Sequence, residues 1–267
     1  MIIDLAGRSV HAATGGVDPS PPDPVVILIH GAGMDSTVWQ LQTRYLAYRG
    51  LRAIAIDLPG HGRSEGEPLT SIEEMAAFVI ELMDEVGWDQ AHLVGHSMGA
   101  LIALEAAATL GDRCSSMTVM GAALAMPVHP QLLSDSEANL PAAAALMAAW
   151  SHAKRAHVGQ NPTPGMWMMG GFRALIEQSD PGVLTTDFQA CAAYEGAADA
   201  AGRISAPSTV LIGLGDKMTP PKAGRALAST LTEPTVIELD NTGHSMMSET
   251  PRAVRAAILA AALGTNA

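Results

Sequence analysis

Two hydrophobic rhythms alternate along this chain. Short apolar runs without polar interruption, such as Val25-Val26-Ile27-Leu28-Ile29, mark strands buried on both faces of a parallel sheet. Such runs predict strands at Ile2–Leu5, 9–13, Val25–Ile29, Arg52–Ile56, 91–94, 116–120, Ser208–Gly213 and Thr235–Leu239. Between them lie longer segments with helical spacing at 39–49, Ile72–Val86, 100–110, 221–231 and Pro251–Leu263. Ser71 followed three residues later by Glu74 supplies a capping box for the second of these helices. A Gly/Pro-rich turn over 14–24 separates the first two strands from the rest. Strand alternating with helix predicts a doubly wound α/β sheet with its site at the carboxyl ends of the strands.

The alternation stops at about residue 125 and resumes at about 206. Residues 125–205 show no strand pattern and are rich in Ala and Met. Helices are expected at 140–153, 172–178 and 186–201, with a break at Asn161-Pro162-Thr163-Pro164-Gly165. The expectation is one core domain, residues 1–124 and 206–267, carrying a helical lid, residues 125–205.

Composition narrows the partners. The 267 residues are 48% hydrophobic but only 4% aromatic, so Ala, Leu, Ile, Val and 15 Met must fill most of the core. A formal net charge of −12 with no basic cluster argues against a nucleic-acid partner, whose phosphates are bound through Lys and Arg. Cys114 and Cys191 are the two cysteines and lack CxxC spacing, so neither a disulfide framework nor a zinc site is expected. No basic leader and no apolar stretch of about 20 residues is present. A cytoplasmic protein with no membrane partner is the corresponding expectation; whether it is a monomer or a homo-oligomer is left open.

The segment Gly95-His96-Ser97-Met98-Gly99 matches G-x-S-x-G between a predicted strand and a predicted helix. Glycines two before and two after the serine permit a turn tight enough to push its hydroxyl out above the sheet. A serine hydroxyl needs a base to become a nucleophile. Of nine histidines, His244 in Gly243-His244-Ser245 follows the last predicted strand. Its orienting acid is expected at Asp216, after the strand ending at Gly213, with Asp240 as the rival. The order Ser, Asp, His follows. An oxyanion in such a site requires two preorganised donors, each worth about 3 kcal/mol. The expected donors are the backbone N–H groups of Met98 and Ala32, with Gly33 as the fallback.

Together His30-Gly31-Ala32-Gly33, Asp57-Leu58-Pro59-Gly60-His61-Gly62-Arg63-Ser64, Gly95–Gly99, Gly215-Asp216 and Gly243-His244 resemble the α/β-hydrolase fold superfamily. The nearest branch is similar to esterases, lactonases, cofactor-free haloperoxidase-like enzymes and carbon–carbon bond hydrolases. The resemblance implies an eight-stranded, mostly parallel sheet, a lid between the sixth and seventh strands, and no metal or organic cofactor. Epoxide hydrolases and haloalkane dehalogenases of this fold place an aspartate where this chain has Ser97, which points away from those activities.

The leading expectation is a hydrolase of a carboxylic ester, lactone or similar acyl compound acting through an acyl-enzyme. The alternatives are a carbon–carbon bond hydrolase acting on a vinylogous diketone, and a ligand-binding or receptor-like protein on a hydrolase scaffold. Met166 and Trp167 in the lid, and Met246 after His244, are the candidate apolar substrate contacts. Lys154, Arg155 and Arg173 are candidate partners of a substrate carboxylate.

Overall fold

A computed structural model describes residues 1–17, 23–163 and 165–265. The turn expected over 14–24 and the break containing Pro164 therefore lie partly outside the described residues.

Eight strands form one sheet in the order β1-β2-β4-β3-β5-β6-β7-β8. These are β1 (Ile2–Leu5), β2 (Arg8–Ala13), β3 (Val25–Ile29), β4 (Arg52–Ile56), β5 (Ala91–His96), β6 (Cys114–Met120), β7 (Ser208–Gly213) and β8 (Thr235–Leu239). The β1–β2 and β2–β4 pairs are antiparallel. All pairs from β4 through β3, β5, β6 and β7 to β8 are parallel. Strand order reverses between β3 and β5, and this is where an open α/β sheet leaves a crevice at its carboxyl edge.

The core lies on both faces of the sheet. Val26 and Leu28 of β3 join a cluster with Leu46, Val254 and Ile258. Ile27 and Ile29 point the other way, into a larger cluster with Phe78, Leu82, Leu101 and Leu104. This period-two division explains why the strand is apolar at every position. Helices α1 (Gln40–Ala47) and α12 (Pro251–Leu263) cover the first face, and α2 (Ile72–Val86) and α3 (Met98–Leu110) the second. At the start of α2, Ser71 Oγ accepts from the Glu74 N–H at 3.1 Å. The Glu74 carboxylate takes the N–H of Thr70 rather than closing back on Ser71, so the capping box is offset by one residue.

Six helices fall between β6 and β7: α4 (Pro130–Ala138), α5 (Leu140–Ser151), α6 (Lys154–His157), α7 (Met168–Glu177), α8 (Val183–Ala193) and α9 (Ala197–Arg203). Helix α4 has no counterpart among the sequence-based expectations, because Pro130 at its first turn and a polar surface hide it. The single helix expected over 186–201 is two. Tyr194 leaves the helical conformation (ψ 119°), and its hydroxyl donates to Glu105 on α3 at 2.6 Å. A Cβ on Gly196 would come 2.8 Å from the Tyr194 ring, so a tertiary contact ends α8. The short helices α10 (Pro221–Ala228) and α11 (Met246–Glu249) complete the fold.

Candidate active site

The turn after β5 is built around one strained residue. Ser97 has φ 56° and ψ −119°, a conformation that side-chain-bearing residues adopt only when the surroundings impose it. A Cβ at Gly95 would strike the Gly99 carbonyl, and a Cβ at Gly99 would strike the carbonyls of Ile29 and His30. Both glycines are therefore required by closeness of backbone to backbone. The hydroxyl is lifted to the edge of a cavity of about 480 Å³, and α3 starts directly behind it.

His244 borders the same cavity, on the loop after β8. Its Nδ1 lies 2.8 Å from Asp216 Oδ2. An ionised carboxylate only accepts, so Nδ1 carries a proton directed at Asp216. Asp216 is held in turn by the N–H groups of Met218 (2.8 Å) and Thr219 (2.9 Å) and by the Thr219 hydroxyl (2.8 Å). Burial works against the Asp216 charge, but His244 and these donors outweigh it and hold its pKa below the ordinary carboxylate value. Asp240, the rival acid, is exposed and its backbone carbonyl merely accepts from Thr242.

Two neighbours of His244 were not anticipated as site-shaping residues. His96 donates from Nε2 to the His244 carbonyl at 3.0 Å, and the two rings lie 4.7 Å apart. Full burial, with His244 beside it, lowers the His96 pKa to about 3, so it stays neutral. Gly121, at the end of β6, leaves room for the His244 ring, since a Cβ there would meet Cε1 at 2.7 Å. The position of Gly121 just past a predicted strand end was the only signal available in the sequence.

Of the expected oxyanion donors, Met98 begins α3 and Ala32 lines the cavity. The fallback Gly33 is committed elsewhere: its N–H donates to Asp187 Oδ2 on α8 at 2.7 Å. The same oxygen lies 2.9 Å from His61 Nε2, and His61 Nδ1 donates to the Pro59 carbonyl at 2.9 Å. Burial works against the His61 charge, but the Asp187 carboxylate outweighs it and raises its pKa. His30 packs on His61 at 4.8 Å, and burial lowers its pKa to about 4. In the same loop Asp57 takes the N–H groups of Ser36 and Arg63. The 57–64 loop is thus a scaffold that braces the edge of the cavity.

A second buried carboxylate ties the other side. Glu249 of α11 accepts the N–H of Gly243, next to His244, at 2.8 Å, and that of Ala153, between α5 and α6, at 2.9 Å. Burial raises its pKa against the pull of those two donors.

The candidate substrate contacts fall elsewhere. Met166 and Trp167 border a separate cavity of about 170 Å³ with Leu41, Phe172 and Leu175. Trp167 is 79% exposed, and Met246 is buried in the cluster beneath α1 and α12. They are replaced at the 480 Å³ cavity by Met126, Val128, Leu132, Trp150 and Phe188. The reason is register: α7 starts at Met168 and packs on α5, and Met166, Trp167 and Met168 border the separate cavity instead. Nor do the basic candidates reach the cavity. Arg155 donates to the Glu249 carbonyl and Arg173 pairs with Glu177 on its own helix, while Lys154 is absent from the described lining.

A parallel sheet with a crevice at its switch point, a strained serine turn and a histidine–carboxylate pair define a class of α/β enzymes. This chain belongs to the alpha/beta hydrolase family, whose model matches residues 26–257. Membership supports a hydrolytic enzyme. The chain is 36% identical over 122 residues to epoxide hydrolase B of Mycobacterium tuberculosis, a match covering 43% of this chain and 33% of that protein's length. Against (E)-2-((N-methylformamido)methylene)succinate hydrolase of Acinetobacter baylyi it is 25% identical over 246 residues, covering 88% and 89%. The enol-lactonase structure from Burkholderia xenovorans LB400 superposes with a TM-score of 0.85 at 22% identity, covering 97% and 98%. Among the described residues no helix is long and apolar enough to cross a membrane.

Proposed function

We propose that the protein is a serine hydrolase that cleaves a carboxylic ester, lactone or similar acyl compound through an acyl-enzyme. One observation carries the reading: Ser97, on its strained turn, shares a cavity with a histidine whose Nδ1 is held by a buried carboxylate. In this reading His244 Nε2 takes the Ser97 proton as the hydroxyl oxygen bonds to the substrate carbonyl carbon. The tetrahedral oxyanion is met by the N–H groups of Met98 and Ala32. His244 gives its proton to the leaving oxygen, and the carbon–oxygen bond breaks. Water then repeats the sequence against the acyl-enzyme, with His244 as base, and releases the acid.

Helices α4, α5 and α8 act as the lid over an apolar, small-molecule substrate, with Leu132, Trp150 and Phe188 forming its underside. The epoxide hydrolase likeness does not redirect the chemistry, because it covers a third of that protein and a Ser97 oxygen that opened an epoxide would leave a stable ether, whereas attack on an acyl carbonyl leaves a hydrolysable ester. Treatment with a tagged fluorophosphonate is expected to modify Ser97 and no other residue, and a panel of esters, lactones and diketones to give turnover among the first two. A folded protein whose Ser97 stays unmodified would remove the hydrolase reading; turnover confined to diketones would replace it with carbon–carbon cleavage.

A further inference from the structure

Twelve of the eighteen side chains bordering the 480 Å³ cavity carry only carbon or sulfur. Ser97 and His244 are committed to the chemistry, and Thr219 is committed to Asp216. The nitrogen-bearing side chains that remain are Trp150, His129 and Lys217. An indole offers only a donor. The Nδ1 of His129 accepts the Gln131 N–H at 3.2 Å, which leaves the proton on Nε2 as a donor. The Lys217 ammonium has three donors and no acceptor. Apart from the reacting groups, the polar side chains of this cavity are thus donors only.

Lys217 is the one lysine or arginine in that lining among the described residues. It is in none of the ion pairs found there, although acids outnumber Lys and Arg by 27 to 15. Its backbone is also fixed relative to the catalytic groups. Asp216 Oδ1 accepts from both Met218 and Thr219, so Lys217 stands on a turn that the candidate triad acid itself pins. An exposed cation on a rigid base at the rim of a largely apolar cavity, in an acidic protein, favours an anionic ligand there.

We propose that Lys217 forms an anion subsite, and that the acyl substrate carries a carboxylate at the end remote from its scissile carbonyl. The inference rests on the hydrolase reading above. The apolar wall of Met126, Val128, Leu132 and Phe188 would then contact the methylene chain between the two ends, with His129 and Trp150 as auxiliary donors.

The test compares monomethyl esters of straight-chain dicarboxylic acids, succinate through suberate, with their neutral monoamide isosteres. At the chain length that fits, wild type is expected to prefer the half-ester in kcat/KM by about tenfold or more, the scale of one charge-assisted hydrogen bond. Lys217→Met should bring the ratio near one, Lys217→Glu should invert it, and Lys217→Arg should keep part of it. A ratio that stays the same from wild type to Lys217→Glu overturns the proposal. If none of these esters is turned over, adipate should still slow fluorophosphonate modification of Ser97 in wild type and fail to do so in Lys217→Glu; equal rates overturn it. Failure of the label to reach Ser97 removes the hydrolase reading and the subsite with it, whereas normal labelling with a charge-blind ratio removes the subsite alone.

Discussion

The two walls of the cavity are built on different principles. On the sheet side, position is set by backbone: Gly95, Gly99 and Gly121 exist because a Cβ would collide, and Ser97, Asp216 and His244 sit at the ends of β5, β7 and β8. On the helical side, position is set by side-chain packing of short, alanine-rich helices against α3 and one another. The walls are joined by two buried carboxylates that point in opposite directions. Asp187 reaches from α8 to the loop bearing Ala32, and Glu249 reaches from α11 to the start of α6. The backbone-built wall tolerates almost no change, while the packed wall is free to vary provided its two fastenings hold.

That contrast can be broken from either side. The largest effect is expected from Ser97→Ala, which should lower kcat/KM for a turned-over ester by at least about 10⁴-fold with an unchanged thermal midpoint. Activity near wild type would remove the serine from the mechanism. Next, Asp216→Asn should cost about 10⁴-fold in kcat by favouring the wrong histidine tautomer, while Asp240→Asn should leave it within about twofold. The reverse ranking would transfer the role to Asp240.

The fastenings should register in stability. Asp187→Ala strands the His61 charge and the Gly33 N–H in the interior, at about 3–5 kcal/mol in urea unfolding. Glu249→Ala leaves the N–H groups of Gly243 and Ala153 unmet, at about 1–3 kcal/mol. Losses below about 0.5 kcal/mol in both would mean that packing alone holds the helices in place.

The Asp187–His61 pair also predicts a pH dependence. The native His61 pKa lies above its ordinary 6.5, so above pH 6.5 the native state keeps a proton that the unfolded chain has released. The stability from this pair is complete below pH 6.5 and is lost as pH rises through the native value. Unfolding measured from pH 6 upward should show a decline that His61→Gln lacks; parallel curves would place the charge elsewhere. The smallest effect is expected from Trp167→Ala. At 79% exposure and outside the Ser97 cavity, it should change kcat/KM by less than about twofold and stability by less than about 0.5 kcal/mol.

Legibility in the sequence followed the same division. The strands were readable because a run such as Val25–Ile29, apolar at every position, has few other uses. The strand-end residues were readable because tight turns demand glycine at fixed offsets. Helix α4 and the split between α8 and α9 were not readable. The first starts at a proline with a polar surface, and the second depends on Tyr194 reaching Glu105, which is 89 residues earlier. Met166 and Trp167 had suitable chemistry for substrate contact, but local pattern carries no information about which flank of α5 receives them. Lys217, adjacent in sequence to Asp216, is not distinguishable in sequence from Lys154, Arg155 or Arg173, because local pattern does not say which cation stands at the cavity and which is paired elsewhere.

The sequence by itself determined the α/β architecture and the loops on which Ser97, Asp216 and His244 stand. Periodicity and turn chemistry act over a few residues and are written locally. Tertiary structure alone decided what the cavity is made of: Gly33 turned aside by Asp187, Lys217 at the rim of a largely apolar chamber, and a lining drawn from the 123–129 segment and from α4, α5 and α8. Those outcomes depend on contacts between segments tens to hundreds of residues apart, where packing and buried charge, not spacing, select the neighbour.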